Sequence, residues 1–219
     1  MSPDIRVSFR GMKLPRPALL GAILLPLLAL GIWLFAGHDD NYALQKRFFR
    51  ARYDRYDEQI VQAARRYGVS PSLVKAVIWR ESRFHADMLG MHGETGLMQI
   101  TEAAAQDWAR AEKIETFTVS DLLDPKTNIE VGTWYLAHAL RRWAEKDNPI
   151  PFALAEYNAG RTRVTRWEKN SGLGGGFGAE DLRSMMDFPA TRAYVRSIID
   201  RYLDFRRKGE FSSEPLLPH

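Results

Sequence analysis

A carboxylate at the end of an apolar helix is the strongest chemical feature of this 219-residue chain. In Ser70-Pro71-Ser72-Leu73-Val74-Lys75-Ala76-Val77-Ile78-Trp79-Arg80-Glu81-Ser82, Val74, Val77 and Ile78 fall at i, i+3 and i+4 of one helical face, and Glu81 falls at i+7. An acid therefore occupies a position that the pattern reserves for a core residue. A carboxyl held against apolar side chains loses hydration, its ionised form is disfavoured and its pKa rises, which suits a general acid working near neutral pH. The alternative is a helix-end glutamate turned to solvent or paired with Arg80 or Arg83. Ser82 has no following histidine or lysine at a spacing that would activate it, so it braces the helix end rather than reacts. Glu94, in the Gly93–Gly96 turn, is a second acid that could orient a ligand, hold Tyr157 or activate a water; Asp87 has a weaker claim. His85 and His92 lack further ligands at metal-site spacing, and no metal or cofactor is implied.

The elements that must position these groups are helical. Ser70 suits an N-cap and Pro71 the first helical position, where a missing N–H costs nothing. Ile60, Val61, Ala64 and Tyr67 mark a preceding helix stopped by Gly68. Residues 83–96, with Gly90, Gly93 and Gly96, read as a loop. Thr101 caps a helix over Glu102–Arg110, and Asp124-Pro125 opens a long one carrying Ile129, Trp134, Tyr135, Leu136 and Trp143. Pro151 starts a helix over Phe152–Tyr157, another holds Val164 and Trp167, and the last runs from about Pro189 to Arg207. Gly172–Gly178, with five glycines in seven residues, reads as a flexible surface loop. No strand pair and no internal repeat is evident. The fold class is all-α, a compact domain at 57–207 followed by a polar tail at 208–219.

The N-terminus has a different character. Residues 18–37 form an uncharged apolar run of 20 residues, enough for a helix to span a membrane. Before it, residues 1–17 carry Arg6, Arg10, Lys13 and Arg16 against Asp4; after it stand Asp39 and Asp40. The positive-inside rule then reads 1–17 as a cytoplasmic tail, 18–37 as a single-pass transmembrane helix, and everything from His38 as lying outside the cytoplasmic (inner) membrane. A cleaved signal peptide, with Ala29-Leu30-Gly31 as its site, is the competing reading and also exports the domain. Residues 38–56 are a juxtamembrane helix or linker whose Phe48, Phe49, Tyr53 and Tyr56 stand among basic residues, suited either to anionic headgroups or to packing on the domain. The chain's net charge of +4 is mostly this tail; residues 38–219 are nearly balanced and offer no footprint for nucleic acid. Zero cysteines excludes disulfides, thiolate metal sites and cysteine nucleophiles.

Glu81-Ser82, then Gly96-Leu97-Met98-Gln99-Ile100, then Ala155-Glu156-Tyr157-Asn158-Ala159-Gly160, in that order and followed by Thr191-Arg192-Ala193-Tyr194-Val195, resemble the catalytic domain of the soluble-lytic-transglycosylase family. The similarity runs from about Tyr56 to Tyr202 and implies a lysozyme-like fold that cleaves peptidoglycan glycan strands. It places the sole catalytic acid at Glu81 and sugar-contacting residues at Gln99, Tyr157 and Asn158, with Leu97 and Met98 as cleft walls or core; Met98 and Glu94 complete the candidate substrate-binding set. Cell-wall or secretion machinery is the class of protein partner it implies. Two positions depart from the family: Gly90 stands where a serine is usual and Ala190 where a glutamate precedes Thr191. Both belong to the cleft rather than to proton transfer. A goose-type-lysozyme-like hydrolase with a second carboxylate, and a non-catalytic wall-binding protein, are the alternatives.

Overall fold

The computed structural model describes residue 46 and residues 50–211. The chain divides into two units: Met1–Arg50, of which only Lys46 and Arg50 are described, both helical, and the compact unit that begins at Ala51. The expected cytoplasmic tail and membrane span lie outside the described residues, and among those described no helix is long and apolar enough to cross a membrane.

Eight α-helices are described in the second unit: α1 (Asp57–Tyr67), α2 (Pro71–Ser82), α3 (Glu102–Ala111), α4 (Pro125–Arg142), α5 (Pro149–Ala159), α6 (Arg161–Ser171), α7 (Ala179–Met185) and α8 (Pro189–Arg207). The caps follow from the residue types. Ser70 Oγ accepts from the Leu73 N–H at 3.3 Å, Thr101 Oγ1 from Ala104 at 3.3 Å and Asp124 Oδ2 from Thr127 at 2.8 Å. Each such cap is worth about 1 kcal/mol. α1 ends at Gly68, whose φ of 70° is the left-handed conformation open to glycine. α5 begins at Pro149 with Asn148 as its cap, two residues before the proline that the sequence suggests as its start. Two elements have no counterpart in the sequence reading: a 3₁₀ turn over Val119–Leu123 and helix α7. No strand forms among the described residues, only the isolated bridges Leu89–Thr95 and Thr95–Ile100.

α2 is the axis of the core, with α8 and α1 packed against it. Its amphipathic pattern undersells its burial: every residue from Pro71 to Trp79 is buried, so there is no solvent face along that stretch. Lys75 is fully buried with them, and its Nζ lies 2.7 Å from Asp57 Oδ1, 3.2 Å from Asp54 Oδ1 and 3.4 Å from Glu210 Oε2. Residues flanking the expected 57–207 core thus belong to it physically. Tyr53 is fully buried with its ring 4.9 Å from that of Phe84, and Tyr56 is buried too, so these two linker aromatics pack on the domain. The Gly172–Gly178 segment is pinned at Phe177, which is buried edge-on against Phe152.

Candidate active site

α2 delivers Glu81 to its C-terminal end, where the chain reverses through two consecutive left-handed residues, Arg83 (φ 51°) and Phe84 (φ 64°). Such conformations cost non-glycine residues about 1 kcal/mol or more each and persist only where neighbours over-determine them. Here Phe84 is buried, and the Arg83 guanidinium lies 3.7 Å from the Trp79 ring centre while donating to the Trp79 carbonyl at 3.0 Å. Ser82 Oγ donates to the Ile78 carbonyl, bracing the helix end.

Glu81 is half-buried, and its one described hydrogen bond is from the Tyr194 hydroxyl of α8, 2.5 Å from Oε1. Burial raises its pKa to about 7; the Tyr194 hydrogen bond and the Arg80 charge oppose that shift, and the charge of Glu94 adds to it. Neither arginine pairs with the acid: Arg80 sits over the Tyr194 ring at 5.5 Å and Arg83 over Trp79. Burial, then the Glu81 charge, pushes the Tyr194 phenol well above its usual range, so it stays a donor. The sequence names Tyr194 only within the Thr191–Val195 stretch of the family resemblance, with no role beside the acid. A hydroxyl inside an apolar stripe was the available signal.

The loop after α2 brings Gln99 and Glu94 to Gly90. Gln99, itself left-handed at φ 48°, donates from Nε2 to the carbonyls of Met88 (3.1 Å) and Gly96 (2.9 Å). Glu94 Oε2 accepts from the His92 N–H at 3.0 Å. Its own N–H and that of His92 hold its carboxyl below the usual range, so it is ionised. The loop is fixed from beneath by Asn128 of α4, fully buried, whose Oδ1 accepts from the Met98 N–H at 2.8 Å and whose Nδ2 donates to the carbonyls of Thr95 and Leu122. Gly96 (φ 78°) lets the loop pass this amide: a Cβ there would lie 2.3 Å from Asn128 Nδ2. Met98 is fully buried, its side chain packed against Gly132. Its carbonyl accepts from the Tyr157 hydroxyl at 3.0 Å.

α5 supplies the opposite side. Glu156, buried, is held by Arg142 and by Trp143 Nε1 at 2.8 Å, locking α5 to α4. The following turn presents Tyr157, half-buried with its ring edge-on to Tyr135, and Asn158, exposed, whose Oδ1 accepts from Thr191 Oγ1 at 2.8 Å. Burial, then the charge of Glu81, raises the Tyr157 phenol well above its usual range, which puts it within electrostatic reach of the acid. His92 and Asp87 are exposed, His85 pairs with Arg52, and among the described residues no three His, Asp or Glu are placed to hold a metal.

An all-α domain with a half-buried acid at the end of its central helix defines the lysozyme-like class. The chain belongs to the Transglycosylase SLT domain family, whose sequence profile matches residues 58–175. It is 32% identical over 162 residues to the soluble lytic murein transglycosylase of Salmonella typhimurium, covering 71% of this chain and 23% of that protein. It is 35% identical over 121 residues to membrane-bound lytic murein transglycosylase C of Shigella sonnei, covering 52% of this chain and 34% of that one. Among solved structures, an inactive glutamate-to-glutamine mutant of lytic transglycosylase Slt from Pseudomonas aeruginosa superposes with a TM-score of 0.60 at 26% identity, over 69% of this chain and 24% of that one. A 70-kDa soluble lytic transglycosylase bound to bulgecin A superposes with a TM-score of 0.61 at 27% identity, over 70% of this chain and 24% of that one. The match to these soluble enzymes spans about a quarter of their length.

Proposed function

We propose that this protein is a membrane-anchored lytic transglycosylase that cleaves the β-1,4 bond between N-acetylmuramic acid and N-acetylglucosamine in peptidoglycan strands. The observation that carries this reading is Glu81, a carboxyl with a pKa of about 7 whose one described hydrogen-bond partner is a phenol. Near neutral pH such a group is available in both protonation states, which a single residue acting first as acid and then as base requires. Protonated Glu81 donates to the glycosidic oxygen as the bond to the muramic acid breaks. The resulting carboxylate accepts the proton of that sugar's 6-hydroxyl, whose oxygen closes on the anomeric carbon to give a 1,6-anhydro end. No water is consumed. Tyr194 steadies the carboxylate in the second half; Gln99, Tyr157, Asn158 and Glu94 hold the sugar.

Relatives named lytic murein transglycosylases support the substrate class, and the membrane-bound ones support anchoring through residues 18–37 with the catalytic unit on the periplasmic side. One observation favours hydrolysis instead: the Glu94 charge reaches Glu81, so a second carboxylate is near the acid, as two-carboxylate glycosidases require. Mass spectrometry of products from the full-length protein in detergent, acting on peptidoglycan, separates the two. Anhydro-muramic ends, one water lighter than reducing ends, are expected; reducing ends would transfer the assignment to a hydrolase.

A further inference from the structure

Two acceptor oxygens converge above Gly90. A Cβ on that residue would lie 2.3 Å from Glu94 Oε2 and 2.8 Å from Gln99 Oε1, so the two oxygens are at most about 5 Å apart. Gln99 cannot supply a donor between them: both hydrogens of its Nε2 go to the Met88 and Gly96 carbonyls, and turning the amide over would set its oxygen against those two carbonyl oxygens. Gln99 Oε1 accepts from no described residue, while the Glu94 carboxylate accepts from the His92 N–H and from its own, which leaves lone pairs to spare. Both side chains are only partly covered. A single ligand atom that satisfies two acceptors this close needs two hydrogens of its own. An acetamide N–H or a hydroxyl has one; water has two but no charge; an ammonium has three, and its charge complements the carboxylate, so it displaces the bridging water that an exposed pair otherwise holds.

We propose that Glu94 and Gln99 form a subsite, built over Gly90, for the protonated amino group of an N-deacetylated hexosamine in the glycan strand. This rests on the glycan-cleaving reading above and sharpens its specificity. The amine comes from a sugar rather than from a peptide stem because the charge of Glu94 reaches Glu81, the acid proposed above to meet the glycosidic oxygen. Gly90 is part of the device, since a side chain there would start where the two oxygens sit.

The test is binding, which does not depend on turnover. Full-length protein carrying Glu81→Gln is titrated with glucosamine oligosaccharides and with their N-acetylated counterparts at neutral pH. At least tenfold tighter binding of the glucosamine form is expected. Adding Glu94→Ala brings that ratio to near one. Gly90→Ala, which introduces a methyl without a positive-φ penalty and drives the oxygens apart, does the same and guards against misfolding of either variant. A ratio near one in the Glu81→Gln parent, or one that survives both additions, overturns the subsite. Loss of binding to both sugars alike in the parent would instead count against the glycan reading itself.

Discussion

Lys75 and Glu81 stand six residues apart on α2, and the fold treats them in opposite ways. Lys75 is fully buried, yet three carboxylates surround its ammonium. Glu81 is only half-buried, yet among the described residues no cation forms an ion pair with it and its one hydrogen bond is from a phenol. Compensation makes the first group structural; its lack leaves the second with a proton that can be given and taken back. Glu156 follows the first pattern, buried and matched by Arg142 and Trp143. The proposed acid is thus set apart by being under-compensated, more than by depth.

Removing each group separates the two treatments. The largest effect is expected from Glu81→Gln, which should lower cleavage by about 10²–10⁴-fold, with the far-ultraviolet circular dichroism unchanged. Retained activity would make α2 a scaffold at both positions. Lys75→Met leaves three carboxylates facing one another and should cost about 3 kcal/mol of stability by urea denaturation, while the folded fraction keeps its pH–rate profile.

The stability effect of Glu81→Gln runs the other way. Below the ordinary glutamate pKa both folded and unfolded chains hold the proton. As pH rises from about 4.5 through about 7, the unfolded chain releases it first, so the native state loses stability. The substitution should therefore raise stability by about 2–3 kcal/mol at pH 8 and by nothing measurable at pH 4, as read from urea midpoints at both values. The smallest effect belongs to Tyr194→Phe. Without that donor the Glu81 carboxylate is less stable, its pKa rises, and the alkaline limb of kcat/KM should move up by about one pH unit. An unmoved limb would show that the phenol only packs.

Much of this could be read from the sequence because local rules and tertiary structure agree: Ser70-Pro71, Thr101 and Asp124-Pro125 open helices by chemistry that acts within four residues. Glu81 was legible for the same reason, an acid breaking an apolar period. Three kinds of residue were not. Tyr194 serves the acid from a helix 113 positions away, and Asn128 holds the cleft loop across 30, so neither has a local signature. The burial of Lys75 has no signal in the sequence, because no pattern within α2 reveals that Asp54 and Glu210 come to meet it. Nor could composition show that a carboxylate and an amide oxygen both close over Gly90, since the residues concerned are ordinary in loops.

The Lys75 cluster also bears on when the domain becomes itself. Its contact with Glu210 spans 135 residues, so the buried ammonium is fully matched only once nearly the whole domain has closed into a loop. A chain clipped after α8 keeps Asp54 and Asp57 on that ammonium but loses its third carboxylate, so the acid-bearing helix is held less firmly. The segment just past α8 is thereby tied to the helix that carries Glu81. For a protein proposed to cut the wall that contains the cell, trimming that segment should loosen the helix bearing Glu81 without touching the cleft.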